Sequence, residues 1–239
     1  MTMPCPATAL SAESGSGWLP SVDAIDIEPL RRNIALPKRK LKAGEYLYRI
    51  GQPFARLYLV KSGSLKTCEL STDGREQVTG FRMRGELLGM ESIGLAGYAC
   101  DVVALEDSEV WCIAWQPILD ECRIDTALRS RLTEVLANEI RRQRAWMLTI
   151  GTLSAEHRVA AFLIDLADRH AQLGDNPNHF ELHMVRADIA SFLALSHETV
   201  TRALTRLTRR GLILVLRREI RLLDIAQLGL HAGVAPTLH

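Results

Sequence analysis

The apolar positions between about residue 34 and residue 114 come in short runs separated by glycine-containing turns. Leu57–Val60, Val102–Leu105 and Val110–Ile113 are typical of short strands, and Lys61–Gly63 and Thr72–Gly74 are typical of the turns between strands. Many short strands at regular spacing indicate an antiparallel sandwich or barrel. We therefore expect a small antiparallel β-roll in this region.

A longer period begins at Pro117, which can open a helix, and continues to Ile150. Six residues with uncharged side chains recur along it at alternating spacings of three and four, the pattern of a coiled-coil seam. They are Thr133, Leu136, Ile140, Gln143, Met147 and Ile150, flanked by Arg129, Arg131, Arg141, Arg142 and Arg144. Because no charge in the seam opposes pairing, we expect this helix to form a homodimer with a second copy. The alternative is a helix packed on its own β-roll.

The pattern changes again after residue 150. A short alternating strand is predicted at Phe180–Met184, followed by two helices, Arg186–Leu193 and Ser196–Arg210. Leu212–Leu216 and Ile220–Leu223 then form a hairpin candidate. This order of elements predicts a winged helix-turn-helix, the arrangement in which the second helix reads DNA.

The expected fold class is therefore α+β, with three folded parts in chain order. Residues 1–26, rich in Ser, Ala, Pro and Gly, are expected to be a flexible tail. The β-roll is expected over residues 27–117, a dimerisation helix over 118–150, and the winged helix-turn-helix over 151–239, where Glu156–Arg169 forms the first helix.

The predicted second helix of the helix-turn-helix separates into two faces. Val200, Leu204 and Leu207 point inward at helical spacing, and Ser196 is a good N-cap. The outer face carries polar residues suited to base edges, because Arg can bond guanine bidentately and Glu can accept from cytosine. The predicted DNA contacts are Ser196, His197, Glu198, Thr201, Arg202, Thr205 and Arg206 on the helix, with Arg217 and Arg218 in the hairpin turn. Glu198 and Arg202 lie four residues apart and can orient each other.

The charge distribution supports this interpretation more than the net charge of +1 does. Seven arginines and two acids fall between Ser196 and Arg221, a local excess typical of phosphate binding. No apolar run approaches the roughly 18 residues of a membrane span, and the N-terminus lacks the features of a signal peptide, so we expect a cytoplasmic protein. No catalytic triad, phosphate-binding glycine loop or metal-ligand cluster occurs at usable spacing, so we expect neither an enzyme nor a metal site.

The segment Ser196–Arg202 resembles the recognition helix of the CRP/FNR family of bacterial regulators, and the likeness extends over the chain from about residue 30. Lys42–Glu45, Leu57–Lys66, Asp73–Phe81 and Gly85–Gly89 look like the β-roll of that family, and the second and third of these are most similar to its FNR branch. The resemblance implies a homodimer in which Glu198, Thr201 and Arg202 read a TTGAT-like half-site of an inverted repeat in double-stranded DNA. It also implies an activator that contacts RNA polymerase through an exposed β-roll turn, here Thr72, Asp73, Gly74 and Arg75.

The cofactors of the family are not expected here. In the FNR branch four cysteines hold an iron–sulfur cluster, three of them closely spaced near the N-terminus, but here only Cys5 precedes Cys68 and Trp111 stands about where the internal cysteine belongs. In the cyclic-nucleotide branch an Arg-Ser pair binds the phosphate, and Tyr98-Ala99 stands about there. Without that arginine a buried phosphate is unpaired. Glu86 is then expected to be a structural turn residue, and the cofactor set is expected to be empty.

Three alternatives stay open at this point. The first is a β-roll sensor whose DNA binding requires an effector, either haem or a thiol switch. Since all seven histidines follow residue 150, haem would need another ligand, and Cys5 and Cys122 are better switch candidates than Cys112, which alternates within a strand. The second, which we favour because the uncharged seam permits a constitutive dimer, is activity set by abundance alone, without any ligand. The third is a helix-turn-helix that serves another protein.

Overall fold

The computed structural model describes residues 35–71 and 73–233. The tail expected at 1–26, the start of the expected β-roll, Cys5, Thr72 and the last six residues lie outside the described residues.

Eight strands form the β-roll in two antiparallel sheets of four strands each. They are β1 (Lys38–Leu41), β2 (Tyr46–Tyr48), β3 (Arg56–Ser62), β4 (Ser64–Leu70), β5 (Glu76–Met83), β6 (Leu87–Leu88), β7 (Asp101–Ala104) and β8 (Ser108–Ala114). The strand orders are β1-β8-β3-β6 and β2-β7-β4-β5, and a short 3₁₀ helix lies at Met90–Ser92. The predicted β-roll is confirmed, and its three predicted strands correspond to β3, β7 and β8.

Gly63 makes the step from one sheet to the other. The predicted turn at Lys61–Gly63 does not close a hairpin, because β3 and β4 belong to different sheets. Gly63 has a φ of 84°, and a Cβ there would lie 2.8 Å from the Cα atom of Ser108. Glycine therefore meets both requirements of this crossing, the left-handed backbone and the close approach of β8.

Two helices follow the β-roll where the sequence predicted one. They are α1 (Trp115–Ile124) and α2 (Thr126–Thr152). The break occurs at Asp125, whose carboxylate accepts hydrogen bonds from the backbone N–H groups of Ala127 and Leu128 at 2.8 and 3.0 Å. An acceptor at this position caps the free N–H groups of a new helix, so the single helix expected from Pro117 is wrong in this detail.

The helix α2 uses two opposite faces. Leu128, Leu132 and Val135 pack against an apolar cluster shared by the β-roll and α1. The other face exposes Ile140 (61%) and Met147 (74%). The prediction that Arg142 flanks the seam is wrong, because Arg142 is 5% exposed and lies on the buried face.

The C-terminal part has the predicted winged helix-turn-helix order. It comprises α3 (Ala155–Gln172), β9 (His179–Glu181), α4 (Arg186–Phe192), α5 (His197–Arg209), β10 (Ile213–Leu216), β11 (Glu219–Leu222) and α6 (Ile225–Ala232). The three strands pair in the order β10-β11-β9. The strand predicted at Phe180–Met184 is shorter and begins one residue earlier. None of the helices in the described part of the chain is both long and apolar enough to cross a bilayer.

The helix-turn-helix part packs directly on the β-roll. Phe81 of β5 joins Trp146 of α2, Phe162 of α3 and Phe192 of α4 in one buried aromatic group, with ring centroids 4.9 to 6.4 Å apart. The backbone N–H of Val78, on the edge strand β5, donates to the Ser191 hydroxyl of α4 at 2.9 Å. The first helix of the helix-turn-helix therefore covers the edge of the sheet, which would otherwise be open to another strand.

Candidate nucleic-acid interface

The helix α5 has the two faces that the sequence predicted. Its buried side carries Val200, Ala203, Leu204 and Leu207, each at most 5% exposed. The Ser196 hydroxyl accepts a hydrogen bond from the backbone N–H of Thr199 at 3.2 Å, so the predicted N-cap is present. The apolar side packs on α3 and α4 and so fixes the rotation of α5 about its own axis. This rotation turns the polar side toward solvent.

All nine predicted DNA-contacting residues are exposed. Seven lie on α5 or at its N-cap, and Arg217 and Arg218 form the turn between β10 and β11. Arg217 has a φ of 57°, the left-handed conformation that a two-residue hairpin turn requires. Helix and wing thus present polar and cationic groups to solvent, and their contact with DNA stays a prediction.

Thr199 orients Arg202, a role that the sequence did not reveal. The Arg202 guanidinium donates to Thr199 Oγ1 at 3.0 Å, and this hydroxyl lies 3.0 Å from the Ser196 hydroxyl. The bond to Thr199 takes the place of the expected pairing between Arg202 and Glu198. The pKa of Glu198 lies below its ordinary value, because its own backbone N–H and the Ser196 hydroxyl favour the carboxylate. Glu198 is therefore an acceptor at neutral pH, as recognition of cytosine N4 requires.

A largely buried carboxylate lies at the other end of α5. Glu156, at the start of α3, lies 3.6 Å from Arg206 Nη1, 3.5 Å from Arg210 Nε and 3.0 Å from His231 Nε2. Its side chain is 12% exposed. Arg206, a predicted DNA contact, therefore shares an internal carboxylate with Arg210. The periodicity of α3 carries no sign of this contact, since His231 and the arginines are distant in sequence.

The turn of the helix-turn-helix contains a non-glycine residue in a left-handed conformation. Ala194, between α4 and α5, has a φ of 53°. This conformation costs an L-residue other than glycine about 1–2 kcal/mol. The sharp turn nevertheless sets the angle at which α5 leaves α4.

The predicted seam lies on the outward face of α2. Thr133, Ile140, Gln143 and Met147 are exposed, and Leu136 and Ile150 are half-buried. Leu148, which falls outside the spacing of the seam, is 66% exposed beside them. Adjacent exposed large apolar side chains are typical of an interaction surface, and their role in dimer formation stays a prediction.

The turn predicted to contact RNA polymerase connects β4 and β5. Asp73, Gly74 and Arg75 are exposed, and Thr72 lies outside the described residues. Arg75 Nε pairs with Asp73 Oδ2 at 2.9 Å, and the Ser71 hydroxyl also bonds Asp73. The described part of the turn is exposed and held by local hydrogen bonds, and its contact with polymerase stays a prediction.

The interior of the β-roll does not fit a cyclic nucleotide. Tyr98, which stands about where the phosphate-binding arginine belongs, is 5% exposed and stacks on Tyr48 with ring centroids 3.9 Å apart. Its hydroxyl donates to the carbonyl oxygen of Arg56 at 2.9 Å. A neutral phenol packed in the core therefore occupies the position where a guanidinium is required.

Glu86 holds its turn, as expected, and also makes a contact that was not expected. One carboxylate oxygen accepts from the backbone N–H of Met83 at 3.3 Å. Both oxygens accept from Arg169 of α3, from Nε and Nη2, at 2.8 Å each. The carboxylate that was expected only to hold a turn therefore also binds the C-terminal part of the chain.

The described cysteines do not fit an iron–sulfur cluster. Cys68, Cys100, Cys112 and Cys122 are buried and divided among three separate apolar cores. Among the described residues, no three His, Cys, Asp or Glu side chains are placed to hold a metal ion. Burial raises the pKa of all four thiols, that of Cys68 to about 12. Cys122 is thus a core residue with little thiolate, which disfavours its expected role in a thiol switch.

Comparison with known proteins identifies both halves of the chain. Residues 38–125 match the family model of the cyclic nucleotide-binding domain, and residues 157–229 match the Crp-like helix-turn-helix domain. The transcriptional activator protein Anr of Pseudomonas protegens is 38% identical over 90% of this chain and 86% of its own. The transcriptional regulatory protein btr of Bordetella pertussis is 37% identical over 78% of this chain and 77% of its own.

A solved structure agrees with these relatives. FixK2 from Bradyrhizobium japonicum superposes with a TM-score of 0.76 at 26% identity, covering 86% of this chain and all of that one. The fold, the exposed recognition helix and the identity to these regulators lead to one conclusion. The chain belongs to the CRP/FNR family and is a transcriptional regulator with a DNA-binding helix-turn-helix.

Proposed function

We propose that this regulator acts in the cytoplasm as a homodimer that reads a TTGAT-like inverted repeat. In each subunit Glu198, Thr201 and Arg202 make the base contacts, and Arg206, Arg217 and Arg218 contact phosphates. The observation that carries the proposal is the outer face of α5, where every predicted contact is exposed while Thr199 and Ser196 already orient Arg202 and Glu198. Side chains fixed before binding lose less conformational entropy on forming base contacts.

The exposed seam of α2 supports the dimer. A symmetric dimer places the same surface patch on both subunits, and Ile140, Met147 and Leu148 form an outward apolar patch that a second copy of α2 can bury. Two subunits related by a twofold axis would present their recognition helices to the two arms of an inverted repeat.

The inward-facing residues of the β-roll support binding without a cluster or a cyclic nucleotide. Tyr98 fills its part of the core, and Glu86 is paired with Arg169. The four described thiols are buried with raised pKa values, so a redox switch would depend on Cys5. We infer that operator binding requires no effector, and the alternative is a β-roll that binds DNA only in the presence of one.

Fluorescence anisotropy of the aerobically purified protein tests these points together. The labelled duplex carries TTGAT–ATCAA, and a scrambled duplex of the same composition is the control. We expect specific binding without any additive, with log K falling linearly against log salt at a slope of about −0.9 per phosphate contact.

Two other results would contradict the proposal in different ways. Preference for the repeat that requires added cAMP or the exclusion of oxygen would support the effector-dependent alternative. Equal, salt-insensitive binding to both duplexes under all of these conditions would overturn the proposed DNA-reading role.

The proposed contact with RNA polymerase is tested separately by the double variant Asp73→Ala/Arg75→Ala. Both side chains are exposed and pair with each other, so their removal should leave the fold and operator affinity unchanged. We expect loss of activated transcription in vitro from a promoter that carries the inverted repeat. Full activation by this variant would show that polymerase is contacted elsewhere.

A further inference from the structure

Four buried charged residues connect the three parts of the chain. Glu86 lies in the β-roll, Arg142 on α2, and Asp165 and Arg169 on α3 of the winged helix-turn-helix part. Each is 3–5% exposed. We call this set the interdomain ion network.

The geometry of the network is specific. Arg169 binds both oxygens of Glu86 at 2.8 Å and donates to the carbonyl oxygen of Phe81 at 2.9 Å. Arg142 Nη2 contacts both oxygens of Asp165 at 2.8 and 2.7 Å, and Asp165 also accepts from Arg169 Nη1 at 3.4 Å. Charges of both signs are equal in number, and each guanidinium is directed at a particular carboxylate.

The network lies behind the seam. Arg142 occupies the buried face of α2, while Ile140 and Gln143, its near neighbours, are exposed on the seam face. Only two residues separate α2 from α3: Leu153, the C-cap of α2, and Ser154, the N-cap of α3. A single short connection of this kind leaves the direction of α3 to be decided by the contacts that α3 makes.

Stability alone does not account for four buried ions. Removing charges from water costs several kcal/mol each, and well-packed apolar residues are often equally stabilising. Burial lowers the pKa of Arg142 from its ordinary value, against the effect of Asp165, which reflects this cost. Apolar contacts such as Phe81 on Phe162 tolerate sliding, whereas a two-bond contact between guanidinium and carboxylate accepts a narrow range of directions.

We propose that the interdomain ion network fixes the orientation of the helix-turn-helix on the β-roll and on α2, and thereby sets the separation of the two recognition helices in the dimer. Its four members are positioning residues for operator spacing. The inference rests on the proposed homodimer and inverted repeat, and extends them from the half-site sequence to the distance between half-sites.

The test uses the full chain with the double variant Glu86→Leu/Arg169→Met. This change removes one charge of each sign and leaves Arg142 paired with Asp165, so no buried ion is left unpaired. Arg84→Gln is the matched control, because Arg84 also bridges the β-roll and the C-terminal part, through Asp175, but is about half exposed. An exposed pair of this kind contributes little.

The first measurement is affinity for inverted repeats whose half-sites are moved apart or together by one base pair. Because half-site spacing must match the dimer geometry, we expect the wild type and Arg84→Gln to lose about tenfold or more in affinity. The double variant should lose about threefold or less, while it keeps dimeric mass and its preference for TTGAT over a scrambled half-site. An unchanged spacing preference in a folded double variant would overturn the proposal.

A second measurement needs no DNA. Spin labels at Glu69→Cys on β4 and Arg209→Cys on α5, both exposed sites, report the distance between the two parts in a Cys5→Ser background, with labelled protein diluted in unlabelled protein. We expect one narrow distance distribution in the wild type and a width at least about doubled in the double variant, since the constraint on direction is removed. Arg169→Lys, which keeps the charge but not the two-bond contact, should broaden it partly.

These two measurements distinguish failure of the proposed function from failure of the network's orienting role. If the wild type does not prefer the repeat to a scrambled duplex, the proposed function fails, and the spin-label widths still decide whether the network orients the domain. Equal widths in the wild type and the double variant would refute the network's role whatever the DNA result.

Discussion

The outer face of α5 and the interior of the β-roll are both places where membership of this family suggests a binding site. The two regions differ in what their side chains contact. Between residues 196 and 205 of α5 and its N-cap, the side-chain hydrogen bonds of the outer face span one helical turn, such as Thr205 to the carbonyl oxygen of Thr201 at 2.9 Å, and the polar groups point to solvent. In the β-roll, Tyr98 stacks on Tyr48, fifty residues away in sequence, and Glu86 binds Arg169. The outer face of α5 is open to solvent, whereas the interior of the β-roll is filled by packed side chains.

This difference predicts a separation of effects. Changes on the outward surfaces of α5 and α2 should alter binding and leave the free energy of unfolding of the single subunit nearly unchanged. Changes among the inward residues of the β-roll should lower stability and leave the sequence preference of DNA binding intact. A variant that alters both properties equally would contradict this separation.

Ile140→Glu on the outward face of α2 should have the largest effect. It places two like charges opposite each other in the seam, and burying an unpaired ion costs several kcal/mol, so we expect the dimer dissociation constant to rise by at least about 1,000-fold. Light scattering should give the monomer mass, and the melting temperature should no longer rise with protein concentration, as that of a dimer does. Arg123→Glu, on the exposed side of α1, is the control and should stay dimeric. A dimeric Ile140→Glu variant would place the interface elsewhere.

Arg202→Ala comes next, because it removes the proposed guanine contact from both half-sites. One bidentate contact is worth about 1–3 kcal/mol of discrimination, so two of them correspond to a loss of roughly 30-fold or more in preference for the repeat. Dimeric mass and melting temperature should not change. Arg209→Ala, an exposed arginine at the other end of α5, should lower affinity for repeat and scrambled duplex alike. Undiminished preference in Arg202→Ala would remove Arg202 from the reading role.

Tyr98→Ala tests the inward side of the comparison. Deleting a buried aromatic side chain costs about 3–5 kcal/mol, which lowers the melting temperature by roughly 6–20 °C in a chain of this size. Tyr98→Phe keeps the stacking on Tyr48 and loses the hydrogen bond to the Arg56 carbonyl and the longer one to the Tyr58 hydroxyl, so it should cost about 1 kcal/mol. Operator preference, measured well below the melting temperature, should match the wild type in both. A selective loss of operator preference would show that the β-roll interior still controls DNA binding.

The same division explains what could be predicted from the sequence. The bounds of α4 and α5, the N-cap at Ser196 and the exposure of the outer face of α5 follow from helical periodicity, which is a local property. The hairpin around Arg217 and the outward seam on α2 follow in the same way. These features were predicted because each depends on residues within a few turns of one another.

The features that the sequence did not reveal depend on distant partners. The arginine at position 142 has the same local pattern as its exposed neighbours, and only the position of Asp165 on α3 distinguishes it. A signal was available on α3, where Asp165 and Arg169 fall on the face of Phe162 and Leu166. Charges at helical spacing within an apolar stripe must be paired when buried. Periodicity could indicate their burial, but not that Glu86 and Arg142 are the partners.

Ala194→Gly should have the smallest effect. It tests whether the backbone of the turn before α5 contributes to DNA binding, since Ala194 lies in the turn that sets the direction of α5. A left-handed φ of 53° costs alanine about 1–2 kcal/mol that glycine avoids. The greater flexibility of glycine in the unfolded chain offsets about half of this, so we expect the variant to be more stable by about 0.5–1 kcal/mol. Denaturant titration should measure the gain, and Ala127→Gly on the exposed side of α2 should instead lose up to about 1 kcal/mol.

Because glycine adopts the same turn, operator affinity and spacing preference should stay unchanged in Ala194→Gly. A more stable variant with weaker operator binding would mean that the strain at Ala194 itself helps to position α5, and the recognition surface would then depend on more than its exposed side chains.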